Sequence, residues 1–233
     1  MVSEVGFVKP RGIVIAIDGP SASGKSSTAA AVARELGARH LDSGALYRAL
    51  TALALELEPA GPEPLLRAAE ARGLELREAG GALVPFLEGR DAEPLLRSAA
   101  VNARVSEVSA QPEVREWVNA RLRRAAAGAG VLVLDGRDIG TAVFPHAPVK
   151  VFLTATAAAR ARRRLLQRGE TPDAAQLARE TARLAERDAW DSTRPEAPLR
   201  QAPDAVLLDT TALDFAAQVG EIVRLVRRRL PEI

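Results

Sequence analysis

The run Ile13-Val14-Ile15-Ala16-Ile17 leads through Asp18 into Gly19-Pro20-Ser21-Ala22-Ser23-Gly24-Lys25-Ser26, and this stretch decides the fold. Five consecutive apolar residues without polar alternation suit a strand buried on both faces, as in a parallel sheet. The residues that follow fit G-x-x-x-x-G-K-[ST], set between that strand and a helix as a phosphate-binding loop requires. Glycines let the backbone curl so that successive N–H groups point inward at phosphate oxygens. The helix beginning near Lys25 adds the positive end of its dipole. In this register Lys25 reaches the β and γ phosphates of a nucleotide and the Ser26 hydroxyl can ligate Mg²⁺. Gly19 through Ser27 thus form the candidate nucleotide-binding segment. A Gly-Ser turn that merely caps a helix is the plainer reading, but it does not call for strand, loop and helix in this order. The loop itself says only that a nucleoside triphosphate binds, because GTPases, motor ATPases and small-molecule kinases share it.

Working outward, Val131 to Leu134, Val149 to Leu153 and Ala205 to Leu208 are further apolar runs, and Arg39-His40-Leu41 is a weaker one. With helix-like segments between them, they predict an α/β fold around a five-stranded parallel sheet. A helix over 25–36 ends at Gly37, a natural residue for a left-handed stop. A second covers 45–57, after which Pro59, Gly61, Pro62 and Pro64 break the chain. The pattern then changes. Residues 74–88 read as an antiparallel hairpin turning at Gly80-Gly81. Amphipathic helices follow at 94–110 and 112–127, the second burying Val114, Trp117, Val118 and Leu122. Residues 65–128 therefore read as a small α+β insertion in a core made of 1–64 and 129–233.

The 233 residues suffice to bury a full core, and 47% apolar with 27% charged residues is ordinary globular composition. Lys9, Lys25 and Lys150 are the only lysines, so arginine carries nearly all the positive charge. Arginine grips phosphate bidentately where lysine acts as a point charge, although genome composition also explains the bias. A net charge of +2 without a basic tail argues against nucleic acid as a partner. The absence of cysteine excludes disulfides and thiolate catalysis and disfavours a zinc site. The first ten residues hold no cleavable apolar core, and no apolar stretch is long enough for a membrane span. A cytoplasmic monomer with no membrane partner is expected.

Three further segments carry the acceptor side. They are Asp42-Ser43-Gly44-Ala45-Leu46-Tyr47-Arg48, Asp135-Gly136-Arg137-Asp138-Ile139-Gly140-Thr141, and Arg187-Asp188-Ala189-Trp190-Asp191-Ser192-Thr193-Arg194. The first follows the second strand, at the strand end where α/β proteins bind ligands. There Ser43 can bond an acceptor phosphate or sugar, or else cap the helix from Ala45, and Arg48 can fork onto a phosphate. Asp135 ends the strand 131–134, a usual place for an acidic group acting on Mg²⁺ through water.

In this order the three segments resemble bacterial cytidylate kinases, and the likeness runs from about Ile13 to the C-terminal helix. The resemblance implies ATP as donor, Mg²⁺, CMP or dCMP as acceptor, a monophosphate-binding insertion and a helical lid at about 156–192. It places Arg137 on the acceptor phosphate and Asp138 on the cytosine, whose exocyclic amine a carboxylate can accept from. It sets Ser106 and Arg115 at the base, Arg187 and Arg194 near phosphate, and Asp191 on the ribose. Without the resemblance Ser106 and Arg115 would pass as helix surface, and Arg187, Asp191 and Arg194 as a solvated ionic face. Arg160, Arg162, Arg163, Arg164 and Arg168 crowd the start of the lid, and Arg164 is the expected phosphate contact. Lys25, Arg137, Arg164 and Arg187 make up the expected catalytic set. His40 and His146 have no nucleophile or metal-ligand pattern around them, so surface or structural roles are expected. A kinase for UMP or another small acceptor, a nucleotide-hydrolysing regulator, and an arginine-rich nucleic-acid binder remain as rivals.

Overall fold

The computed structural model describes residues 12–233. The first ten residues, expected to hold no cleavable apolar core, lie outside the described residues. One strand explains the architecture. In β1 (Ile13–Asp18), Ile15 and Ile17 enter one hydrophobic cluster while Val14 and Ala16 enter another. The period of two thus sends alternate side chains into two layers, and both must be covered. Helix α1 (Lys25–Glu35) and the last helix, α9 (Phe215–Arg229), cover the first face through Val32, Val219, Ile222 and Val226. Helices α2 (Ser43–Leu57) and α6 (Pro112–Gly128) cover the other through Leu46, Leu50, Val118 and Leu122.

β1 is central. It pairs in parallel with β6 (Val131–Gly136) on one side and β7 (Val149–Thr154) on the other. β2 (Arg39–Asp42) adds outside β6, and β8 (Val206–Asp209) outside β7, completing five parallel strands in the order β2-β6-β1-β7-β8. The sheet does not stop there, which corrects the strand count. β3 (Glu75–Ala79) and β4 (Ala82–Leu87) form the expected hairpin, with Gly80 and Gly81 both at positive φ as a tight two-residue turn demands. A parallel pairing of His40 with Ala82 then welds β4 onto β2, and β5 (Arg90–Asp91) pairs with β4. Among the described residues eight strands share one sheet, so residues 75–91 of the insertion are continuous with the core.

Two other expectations change. The Pro59–Pro64 stretch holds the start of a helix, α3 (Pro62–Ala71), because a proline at the first helical position has no amide to lose. The helix expected over 94–110 is split into α4 (Glu93–Leu96) and α5 (Ala99–Ala110), the latter restarted by the Ser98 hydroxyl accepting from the Val101 amide. β8 was expected to be buried on both faces. It is an edge strand, with Val206 and Leu207 exposed and Leu208 alone packing on the core. Helices α7 (Ala157–Gln167) and α8 (Ala174–Thr193) pack together beyond β7. Among the described residues no helix is long and apolar enough to cross a membrane.

Candidate active site

The carboxyl ends of β1, β2 and β6 open into one cavity of about 1000 Å³. The glycine loop forms one end of it. Gly19 sits at φ +153°, and a Cβ there would lie 2.0 Å from the Leu153 carbonyl oxygen. Only glycine lets β1 turn so tightly over β7. Gly19→Ala is therefore expected to cost about 2 kcal/mol or more of stability, read as a lowered urea midpoint at unchanged slope. Gly24, at φ +89°, hands the chain into α1. Ser21, Ala22 and Gly24 through Ser27 line the cavity, while Gly19, Pro20 and Ser23 shape the loop from behind.

Lys25 is 5% exposed and donates through Nζ to the Pro20 carbonyl at 2.7 Å and to Ser23 Oγ at 3.4 Å. Burial, then the nearby charge of Arg137, holds its ammonium well below the usual lysine range. The Ser26 hydroxyl donates to Asp135 Oδ2 at 2.6 Å, and His40 Nε2 lies 2.8 Å from Oδ1. Ser43 donates to the Asp135 carbonyl oxygen at 2.8 Å, so it fastens α2 to the end of β6. The cap of α2 is Asp42, which accepts from the Gly44 amide. Magnesium takes hard oxygen ligands, usually one or two from the protein with the rest from phosphate and water. A serine hydroxyl beside a carboxylate at the mouth of a phosphate loop fits that demand.

Further along the cavity, arginines converge. Arg48 lies 3.5 Å from Asp42 Oδ2, and Arg137 Nε donates to Asp191 Oδ2 at 3.1 Å. Arg187 is lowered to about 10, first by burial and then by the charges of Arg137 and, after the opposing effect of Asp191, of Arg48 and Arg164. Its Nε is buried with no hydrogen-bond partner among the described residues. Four cations facing one space, one of them unpaired, make a receptacle for an anion. Arg164 lines the cavity but is held at 3.2 Å by Glu180, which also meets Arg168 and Arg183.

At the far end Arg115 donates to Asp138 Oδ2, and Arg194 lies 3.5 Å from Oδ1. Burial still raises the Asp138 carboxyl above its ordinary range, against the pull of Arg115, Arg194 and Arg137. Arg194, which the resemblance sets near phosphate, lies beside this buried carboxylate, and the Ala197 carbonyl accepts twice from its guanidinium. Asn102, Val105 and Ser109 are the α5 residues facing the cavity; Ser106 is half-buried beside them and does not line it.

Several residues here escaped the sequence reading. Asp18 accepts from the amides of Ile139 and Gly140 at 2.8 and 2.7 Å, pinning a π-turn (Ile139–Val143) and with it the segment carrying Arg137 and Asp138. Burial pushes its carboxyl up to about 6. Asp188 accepts from the Ser21 amide at 2.9 Å and pairs at 2.6 Å with Arg160, which donates in turn to the Ser21 carbonyl. Arg160 therefore braces the loop from outside the cavity. Arg163 is tied to Thr210. A spacing signal existed for α8: Glu180, Arg187 and Asp191 recur at seven and four residues, one helical face.

Comparison with known proteins shows the family. The family model described as cytidylate kinase matches residues 15–228. A cytidylate kinase of Mycolicibacterium paratuberculosis (strain ATCC BAA-968 / K-10) is 43% identical over 219 residues, covering 93% of this chain and 96% of that protein. A bifunctional pantoate ligase/cytidylate kinase of Synechococcus sp. (strain CC9902) is 45% identical over 235 residues, covering 97% of this chain; the chain spans 47% of that longer protein. An uncharacterized protein from Eubacterium ventriosum ATCC 27560 shares the fold at 10% identity, with a TM-score of 0.51 and coverage of 93% of this chain and 99% of that one. A match running from the phosphate loop to the final helix, with near-complete coverage of a relative of this length, leaves one assignment: the chain belongs to the cytidylate kinase family.

Proposed function

We propose that the protein transfers the γ-phosphoryl group of ATP to CMP and dCMP, giving CDP and dCDP by direct in-line displacement. One observation carries this reading. A single cavity has a phosphate loop at one end, a buried carboxylate flanked by arginines at the other, and the unpaired Arg187 guanidinium between them. Two nucleotides laid phosphate to phosphate would meet amides and cations at their phosphates and a hydrogen-bonding carboxylate at the acceptor base.

In this reading Gly24 through Ser27 present backbone amides to the donor phosphates and Lys25 faces the transferring group. Arg48, Arg137 and Arg187 bind the acceptor phosphate, with Arg164 joining when the α7–α8 lid closes. Asp191, which accepts from Arg137, takes the ribose in this reading. Asp138, Arg115 and Arg194 sort the base. Magnesium, held by Ser26 and through water by Asp135, would supply charge neutralisation at the donor phosphates. A monophosphate oxygen is already anionic, so the residues need only align it and offset charge; no general base is required. Lid closure would exclude water and suppress ATP hydrolysis.

Initial rates with ATP and an acceptor panel of CMP, dCMP, UMP, AMP and shikimate test the proposal. CMP and dCMP are expected to lead, with ADP formation dependent on the acceptor. Preference for UMP or shikimate would move the assignment to another small-molecule kinase, and ADP released without any acceptor would favour a hydrolysing regulator.

A further inference from the structure

His40 does not line the cavity, yet it holds the carboxylate that does. It sits on β2 with its Cα paired to Val133, two residues before Asp135 in the neighbouring strand. Its ring is largely buried, at 13% side-chain exposure, and its Nε2 lies 2.8 Å from Asp135 Oδ1. The other Asp135 oxygen takes the Ser26 hydroxyl at 2.6 Å. A carboxylate only accepts, so the imidazole must carry its proton on Nε2 and donate it. Asp42 is the register partner of Asp135, and burial, then the charge of Asp135, raises its carboxyl. Two neighbouring carboxylates repel, and an unclamped Asp135 would lower that energy by turning away from Asp42 and Ser26. The His40 backbone is fixed as well, since its amide donates to the Gly81 carbonyl of the insertion hairpin at 3.1 Å.

We propose that His40 is a positioning residue. It clamps Asp135 in the orientation that faces Ser26, and so sets the affinity for the magnesium complex of a nucleotide without touching the nucleotide. The inference rests on Ser26 and Asp135 being the magnesium site. Groups that orient a metal-binding carboxylate from behind change metal affinity by about 10- to 100-fold. Nucleotide binding without metal uses the loop amides and Lys25, and does not need the clamp.

The test is calorimetric binding of ADP to the whole protein, in excess Mg²⁺ and in EDTA, which needs no turnover. For each variant the quantity read is the ratio of the two affinities. His40→Leu keeps the bulk and removes the donor; the ratio is expected to fall about 10-fold while the EDTA arm stays unchanged. His40→Gln returns an N–H donor at the position of Nε2 and is expected to restore most of the ratio. Should the leucine variant not fold, His40→Ala replaces it in the same comparison. Asp135→Asn separates the two layers of the argument. If that variant loses the ratio while the leucine and glutamine variants both keep the native value, His40 plays no positioning part and the inference is overturned alone. If Asp135→Asn keeps the native ratio, or the native protein shows no magnesium effect, the assigned magnesium site falls and the inference falls with it.

Discussion

Lys25→Ala is expected to lower turnover on the order of 1000-fold or more, with the fold intact. The ammonium is buried at the end of β1 and α1, where burial strips its water and Arg137 repels it, so that its proton is held far less tightly than in an exposed lysine. Asp135, Asp42 and Asp18 oppose this without overturning it. A polyphosphate beside this ammonium would offset both effects. That interaction strengthens as negative charge moves towards the bridging and leaving oxygens, so the loss should fall on kcat rather than on CMP binding. Stability should change little. The alanine variant loses hydrogen bonds to Pro20 and Ser23 but also sheds a desolvated charge. The checks are an ADP-release assay saturated in both substrates, CMP binding measured directly, and a circular-dichroism melt. Near-normal turnover in a folded variant would end the phosphate-loop mechanism.

The parallel core of the sheet was legible because burial on both faces writes itself as unbroken apolar runs, as in Ile13–Ile17 and Val131–Leu134. The welding of β4 to β2 was not, because it rests on the single pairing of His40 with Ala82, and no local pattern announces a pairing across 42 residues. Edge strands mislead for a related reason. Ala205–Leu208 is as apolar as a central strand, but an edge has only one neighbour and its outer residues stay in water. In the site, motifs named most of the charged residues facing the cavity but missed Asn102, Val105 and Ser109 on α5 and the aspartates that hold the backbone behind it. Asp18 and Asp188 work by accepting backbone amides of Ile139, Gly140 and Ser21, and an acceptor of remote amides leaves no spacing signature. His40 has no nucleophile or metal-ligand pattern around it in the sequence. Its partner lies 95 residues away and only parallel register brings them together.

Asp138→Asn is expected to lower kcat/KM for CMP on the order of 100-fold and to raise the UMP-to-CMP ratio by a similar factor. The carboxylate lies between Arg115 at one oxygen and Arg194 near the other, and it lines the part of the cavity proposed for the base. As an acceptor it suits the amine of cytosine and repels the carbonyl that uracil carries there. An asparagine has one carbonyl, which Arg115 would claim, so its amide N–H₂ turns to the base and welcomes that carbonyl instead. The same logic fixes a pH dependence. Burial raises the Asp138 carboxyl, so it gains a proton at a higher pH than an exposed aspartate would. Once protonated it donates, and the native protein's preference for CMP over UMP should weaken as the pH falls through that raised value. The Asp138→Asn variant has no proton to gain there, and its preference should stay flat over the same range. The comparison also guards against a purely structural loss. Removing the charge leaves Arg115 and Arg194 short of a partner and lowers stability, but lost stability alone reduces both substrates' rates together and leaves their ratio alone. An unchanged ratio in a folded variant would place base selection elsewhere, on Arg115 and the α5 face of Asn102, Val105 and Ser109.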